Sequence, residues 1–121
     1  MSRIGDLLTR TVAPKVTSEV QRNLRGLFGG IVRGYLPQVW WFTTESGSAT
    51  LFVNEQGLCQ VHDGQSGAPD GSIAWTDGAF QIALTAQDRS GLPVGTQAPQ
   101  IQTYSKKGQT AFGFLRKRFG V

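Results

Sequence analysis

The sequence predicts an α+β fold: a five-stranded, mostly antiparallel sheet with helices packed on one face. Three observations predict it. Apolar residues recur every three or four positions near both ends of the chain, which marks amphipathic helices. From Pro37 the period changes to two, which marks half-buried strands. The first three strand-like runs are joined by links too short for anything but antiparallel neighbours. At 121 residues the chain has the length of one domain.

Residues 1–33 read as helical. Val16, Val20, Leu24, Leu27, Phe28 and Ile31 fall on one stripe, with Lys15, Arg22, Arg25 and Arg33 opposite. Pro14 suits a first helical turn and separates this helix from a shorter apolar segment around Ile4, Leu7 and Leu8. Gly29 and Gly30 offer a stop or kink. Gln38–Thr44 (QVWWFTT) is aromatic and β-branched, as a strand requires. Trp40 and Phe42 share one of its faces, Val39 and Trp41 the other. Glu45–Ser48 reads as a turn, Ala49–Asn54 as a second strand, Glu55–Gly57 as a second turn, and Leu58–His62 as a third strand. After the turn-rich Asp63–Gly71 comes a fourth strand, Ser72–Thr76, with Ile73 and Trp75 on one face. Asp77 then stands where a helix N-cap belongs, and Phe80, Ala83 and Leu84 follow at helical spacing. Residues 88–99 carry Gly91, Pro93, Gly95 and Pro99 and read as irregular. Gln100–Tyr104 is the fifth strand, Lys106–Gly108 a tight turn, and Gln109–Phe119 a closing helix with Phe112, Leu115 and Phe119 on its stripe.

The net charge of +4 is unevenly spread. Residues 1–33 hold six basic and two acidic residues, residues 34–103 one basic and six acidic, and residues 104–121 five basic and no acidic. Brought together, the ends would form a positive face suited to anionic lipid, nucleic acid or an acidic protein. The bland alternative is that these charges are solvated helix faces.

Composition excludes several classes. No run of about 18 apolar residues exists for a membrane helix. The first residues lack the continuous apolar stretch of a secretory signal. One cysteine, Cys59, allows neither an intrachain disulfide nor a thiol-rich metal site, and one histidine, His62, allows no two-histidine site. These point to a reducing cytoplasm. Cys59 and His62 lie three apart on one strand and so on opposite faces. The aspartates at 63, 70, 77 and 88 sit by turns or helix starts, where capping explains them. No phosphate-binding glycine loop and no nucleophile-elbow motif is present. We expect no catalytic residue, no metal and no cofactor.

The order of elements resembles the sterol carrier protein 2 (SCP2) domain family over roughly residues 15–119. The resemblance is carried by GSIAWTDGAFQIAL (71–84), with Asp77 and Phe80 at an Asp-x-x-Phe helix start, and by IQTYSKKGQTAFGFL (101–115). QVWWFTTESGSATLFVNEQG is similar to the family's first hairpin, and LCQVHDG to its third strand. It implies an N-terminal helical segment, 1–14, before an SCP2-like domain over 15–121, the whole forming one unit. It also implies non-catalytic binding or transfer of a sterol, fatty acid, acyl-CoA or phospholipid in an apolar cavity between sheet and helices. By position the lining is Leu27, Phe28, Ile31, Trp40, Phe42, Ile73, Trp75, Phe80, Leu84, Phe112, Leu115 and Phe119.

Two departures qualify the resemblance. The family carries a further helical segment where this chain has DRSGLPVGTQAP, so that wall of the cavity is in question. The chain ends in Phe119-Gly120-Val121, which is not a Ser-Lys-Leu peroxisomal address.

The basic residues Lys15, Arg22, Arg25, Arg116, Lys117 and Arg118 would face an anionic membrane or a partner. Trp41, opposite Trp40, would join them if segment 3–13 left it bare. Nucleic acid is the weaker reading, because the aromatics of the last helix lie on its apolar stripe and are not free to stack on bases. The alternative from another class is an SCP2-like fold kept as a protein-interaction or regulatory module with no usable lipid cavity.

Overall fold

A computed structural model describes residues 1–26, 29–86 and 90–119, with the backbone alone at Ile31 and Phe119. The elements are α1 (Arg3–Leu7), a π-helical turn (Leu8–Val12), α2 (Ala13–Leu24), α3 (Gly29–Arg33), β1 (Gln38–Thr44), β2 (Gly47–Val53), β3 (Cys59–Asp63), β4 (Gly71–Ala74), α4 (Asp77–Ala86), β5 (Gln100–Thr103) and α5 (Lys106–Phe119). The sheet order is β3-β2-β1-β4-β5. Every neighbouring pair is antiparallel except β1 and β4, which run parallel.

The first helical stretch differs from the expected pair of segments. Ser2 caps it by accepting the Gly5 amide at 3.1 Å, and the chain stays helical through Pro14 to Leu24. A proline inside a helix has no N–H to donate and crowds the carbonyl four residues back. The wider π turn immediately before it takes up that mismatch. Thr9 and Thr11 add hydroxyl bonds to the Gly5 and Leu7 carbonyls, at 2.8 and 2.7 Å. Ile4, Leu7, Leu8 and Val12 are all buried in the same core as Trp40 and Phe42. Segment 3–13 therefore covers the inner face of the sheet and leaves the Trp41 face alone. The helix ends at Leu24, short of the expected 31–33. Leu27 and Phe28 lie outside the described residues.

The hairpin register fixes which strand residues share the inner face. Trp40 pairs with Leu51, and Leu51 with Val61. Phe42 pairs with Ala49 on one side and with Ile73 on the other. On this face Phe80 of α4 packs against Phe42 (ring centroids 5.9 Å apart) and against Trp75 (5.6 Å).

Two helix starts lie earlier than the sequence pattern suggests. The cap of α4 is Thr76, whose hydroxyl accepts the Ala79 amide at 3.1 Å, so Asp77 is the first helical residue. Residues 106–108 form the first turn of α5, because Ser105 Oγ accepts the Gly108 amide at 3.0 Å. The same hydroxyl donates to Asp70 Oδ1 at 2.8 Å, and Asp70 Oδ2 accepts the Val39 amide at 2.9 Å. Buried Asp70 thus ties β1, β4 and α5 together. At Gly108 a Cβ would collide with the Asp70 carbonyl oxygen. Only glycine lets α5 approach that strand so closely.

Candidate functional site

An apolar cavity of about 200 Å³ lies between the sheet and the helices. Its floor is Gln38, Trp40, Leu51 and Val53 from β1 and β2. Val16, Val20 and Asn23 of α2 form one wall. Thr110, Ala111, Phe114 and Leu115 of α5 form another, and Val32, Tyr35 and Leu36 close the end. The helical spacing of Val16, Val20 and Asn23 turns one stripe of α2 inward. Leu51 and Val53 reach the floor because alternate β2 residues share a face with Trp40.

The polar group deepest in this site is fully engaged. Gln38 is 5% exposed. Its Nε2 donates to the carbonyls of Tyr35 (2.7 Å) and Lys107 (2.9 Å), and its Oε1 accepts from Trp40 Nε1 at 2.9 Å. This knot joins the α3–β1 connection to α5 and holds the Trp40 indole in the floor. Among the described residues no buried side-chain polar atom lacks a partner. A cavity with satisfied walls has hydrocarbon chemistry to offer: it takes up apolar groups and repels polar ones.

Of the lining expected from sequence, Trp40 and Leu115 are at the cavity. Phe42, Ile73, Trp75, Phe80 and Leu84 are buried but do not line it. They belong to the other half of the core, where Phe80 packs against Phe42 and Trp75. Phe112 packs half-buried against the core and is also off the cavity. Leu27 and Phe28, with the side chains of Ile31 and Phe119, lie outside the described residues. Val16, Val20, Leu36, Leu51, Val53, Ala111 and Phe114 line the cavity although the expected lining did not include them. For Leu51 and Val53 the signal was present. Any even shift of the hairpin register leaves odd-numbered β2 residues on the face of Trp40.

Residues 88 and 89 of the irregular segment after α4 lie outside the described residues, and residues 90–99 do not line the cavity. The backbone of 90–99 closes the other half of the core, where the Gln97 carbonyl accepts from Trp75 Nε1 at 2.7 Å. Trp41 is half-buried on the outer face, and its Nε1 donates to the Ser66 carbonyl at 2.9 Å. Buried Thr50 anchors the same loop, donating to the Gly64 carbonyl (2.7 Å) and accepting the Ser66 amide (2.9 Å). The loop after β3, and not segment 3–13, is what covers Trp41.

The basic residues divide into two groups. Lys15 Nζ and Arg118 Nε approach Glu19, at 3.9 and 3.3 Å. Arg22, Arg25, Arg116 and Lys117 are exposed and make no ion pair among the described residues. Cys59 and His62 stand on opposite faces of β3, as their spacing requires. Burial pushes the Cys59 thiol up, against the lowering influence of Thr17. A raised pKa keeps it a thiol and a poor nucleophile. Among the described residues no three His, Cys, Asp or Glu side chains cluster as metal ligands, and no helix is long and apolar enough to cross a membrane.

Fold and cavity together define an α+β domain, a five-stranded mixed sheet with helices and an apolar site between them. The chain is similar in structure to a protein titled UbiJ-SCP2 ubiquinone synthesis protein, at TM-score 0.46 and 19% identity, covering 84% of this chain and 94% of that one. It is also similar to sterol carrier protein 2 from Yarrowia lipolytica (TM-score 0.41, 12% identity, 92% and 94% covered). The sterol carrier protein domain 2 of Helicoverpa armigera gives TM-score 0.42 and 11% identity, with 88% and 87% covered. No protein-family profile matches the sequence, and no curated protein matches it.

Proposed function

We propose that this protein binds the hydrocarbon chain of a lipid, without chemistry, in the cavity between α2, α5 and the sheet. The observation that carries the reading is the cavity itself: about 200 Å³, floored by Trp40, Leu51 and Val53, with its one deep polar side chain fully bonded. Size selects among lipids. Pockets for drug-sized ligands run to about 300–1,000 Å³, whereas a cavity of about 150 Å³ holds benzene. A four-ring sterol exceeds this space, but the end of a fatty or other linear chain fits it. Transfer between membranes follows if exposed Arg22, Arg25, Arg116 and Lys117 attract an anionic surface, each contributing about 1 kcal/mol near it. Such a carrier would work in the cytoplasm.

The test is native mass spectrometry of the purified protein, with extraction of whatever it carries, and again after incubation with decanoate. A stoichiometric adduct, with a change in tryptophan emission as Trp40 meets the chain, is the expected result. An unshifted mass at millimolar decanoate would overturn the reading and leave the interaction-module alternative.

A further inference from the structure

Resting on that reading, we infer that Trp40 sets the length of hydrocarbon the cavity accepts, the methyl end of the chain stopping against its indole. The space holds a linear segment of about eight carbons, by proportion with the six-carbon ring that fits about 150 Å³.

The strand register shows where the space ends. It divides the inner face of the sheet into rows. Gln38 and Val53 form the first, Leu51, Trp40 and Gly71 the second, and Ala49, Phe42 and Ile73 the third. Gln38, Val53, Leu51 and Trp40 line the cavity, whereas no residue of the third row does. Phe80 packs on that third row, 5.9 Å from Phe42. On α2 the lining likewise begins at Val16; Val12, one turn earlier and fully buried, is not part of it. The cavity therefore stops at the row of Trp40.

Trp40 makes that row a stop. Its six-membered ring lies over Gly71, where a Cβ would strike it, so one side chain spans β1 and β4. At the other end of the indole, Nε1 donates to Gln38 Oε1 at 2.9 Å, and Gln38 is itself held by the Tyr35 and Lys107 carbonyls. An indole fixed at both ends does not swing aside for a longer chain. With its N–H already bonded, it offers the ligand only an apolar surface. A polar head brought against it would lose its water without gaining a partner, so the methyl end is what meets it.

The experiment titrates hexanoate, octanoate, decanoate, dodecanoate and tetradecanoate calorimetrically into the wild-type protein, each below its micellar concentration. Every methylene should tighten binding about fourfold while it is buried, and the increments should flatten beyond about eight carbons. Trp40→Leu leaves space over Gly71. It should move the flattening out by about two carbons, which tightens dodecanoate about tenfold relative to octanoate. In the wild-type complex, isotope-filtered NOEs should join the terminal methyl of octanoate to the Trp40 ring, a result that stands whether or not Trp40→Leu folds. Increments undiminished to tetradecanoate, a break that a folded Trp40→Leu does not move, or NOEs joining the methylene beside the carboxylate to Trp40 overturn this inference and leave the cavity reading standing. Failure of every chain to bind overturns both.

Discussion

Arg118 Nε lies 3.3 Å from Glu19 Oε2, so the last turn of α5 is pinned to the middle of α2. Glu19 is 8% exposed, with Lys15 on its other oxygen at 3.9 Å. Through this contact the two basic ends of the chain meet, and one acid offsets a cation from each. The pair also stands beside Val16, Val20 and Leu115, and so braces the wall of the cavity.

Breaking that pair should loosen α5. Glu19→Gln leaves two cations without a carboxylate. Because Arg118 is nearly half exposed, the expected loss is about 1 kcal/mol or less. A double-mutant cycle of Glu19→Gln and Arg118→Gln, read by thermal melts, should return a coupling that shrinks in high salt. A coupling indistinguishable from zero at low salt would deny the brace.

Filling the cavity separates it from the solid core. Ala111→Leu puts three carbons into the void, so the protein should keep or gain stability while its affinity for decanoate falls at least about tenfold, since the occupied space is that of the ligand. Ala83→Met is the contrast. Ala83 is fully buried and lines no cavity, so the larger side chain overpacks the core, at about 1–3 kcal/mol. Equal behaviour of the two variants in melts and binding would refute the division.

Gly71 should not tolerate a side chain. A Cβ there would strike the Trp40 ring, which cannot yield without breaking its bond to Gln38. Gly71→Ala should cost about 1–3 kcal/mol and shift the emission of Trp40 as the indole is displaced from the floor. An unchanged spectrum and melt would contradict the observed contact.

Acid should release the start of α1. The Asp63 carboxyl lies below its ordinary value of 3.8, chiefly because the Ser2 amide donates to it, at 2.9 Å. A carboxylate favoured by folding stabilises above its unfolded pKa and loses that contribution as pH falls through the lower, folded value. Amide exchange at residues 2–7 should therefore gain an additional opening component below about pH 4, absent in Asp63→Asn. Identical profiles for the two proteins would reject the anchor.

Local pattern determined most of the elements, and tertiary packing decided the site. The run QVWWFTT is strand from Gln38 to Thr44 because aromatic and β-branched side chains at period two suit only that geometry, and strand parity then puts Trp40, Leu51 and Val53 on one face. Helix ends were less legible. Lys106–Gly108 has the composition of a turn, yet it is helical because Ser105 caps it and Asp70 receives it from another part of the chain. Residues 3–24 remain helical across Pro14 because a π turn and the sheet beneath absorb the mismatch. The cavity was legible only in part: Trp40 and Leu115 were expected in its lining, whereas Val16, Leu36 and Phe114 were not. Phe80 and Phe114 are equally apolar, and pattern predicts only that both turn inward. Which one meets a void depends on whether the facing side chains fill the space. Phe42 and Trp75 do so around Phe80, whereas α2, α5 and Trp40 stand apart around Phe114. That difference is a matter of three-dimensional volume, and no spacing along a chain encodes it.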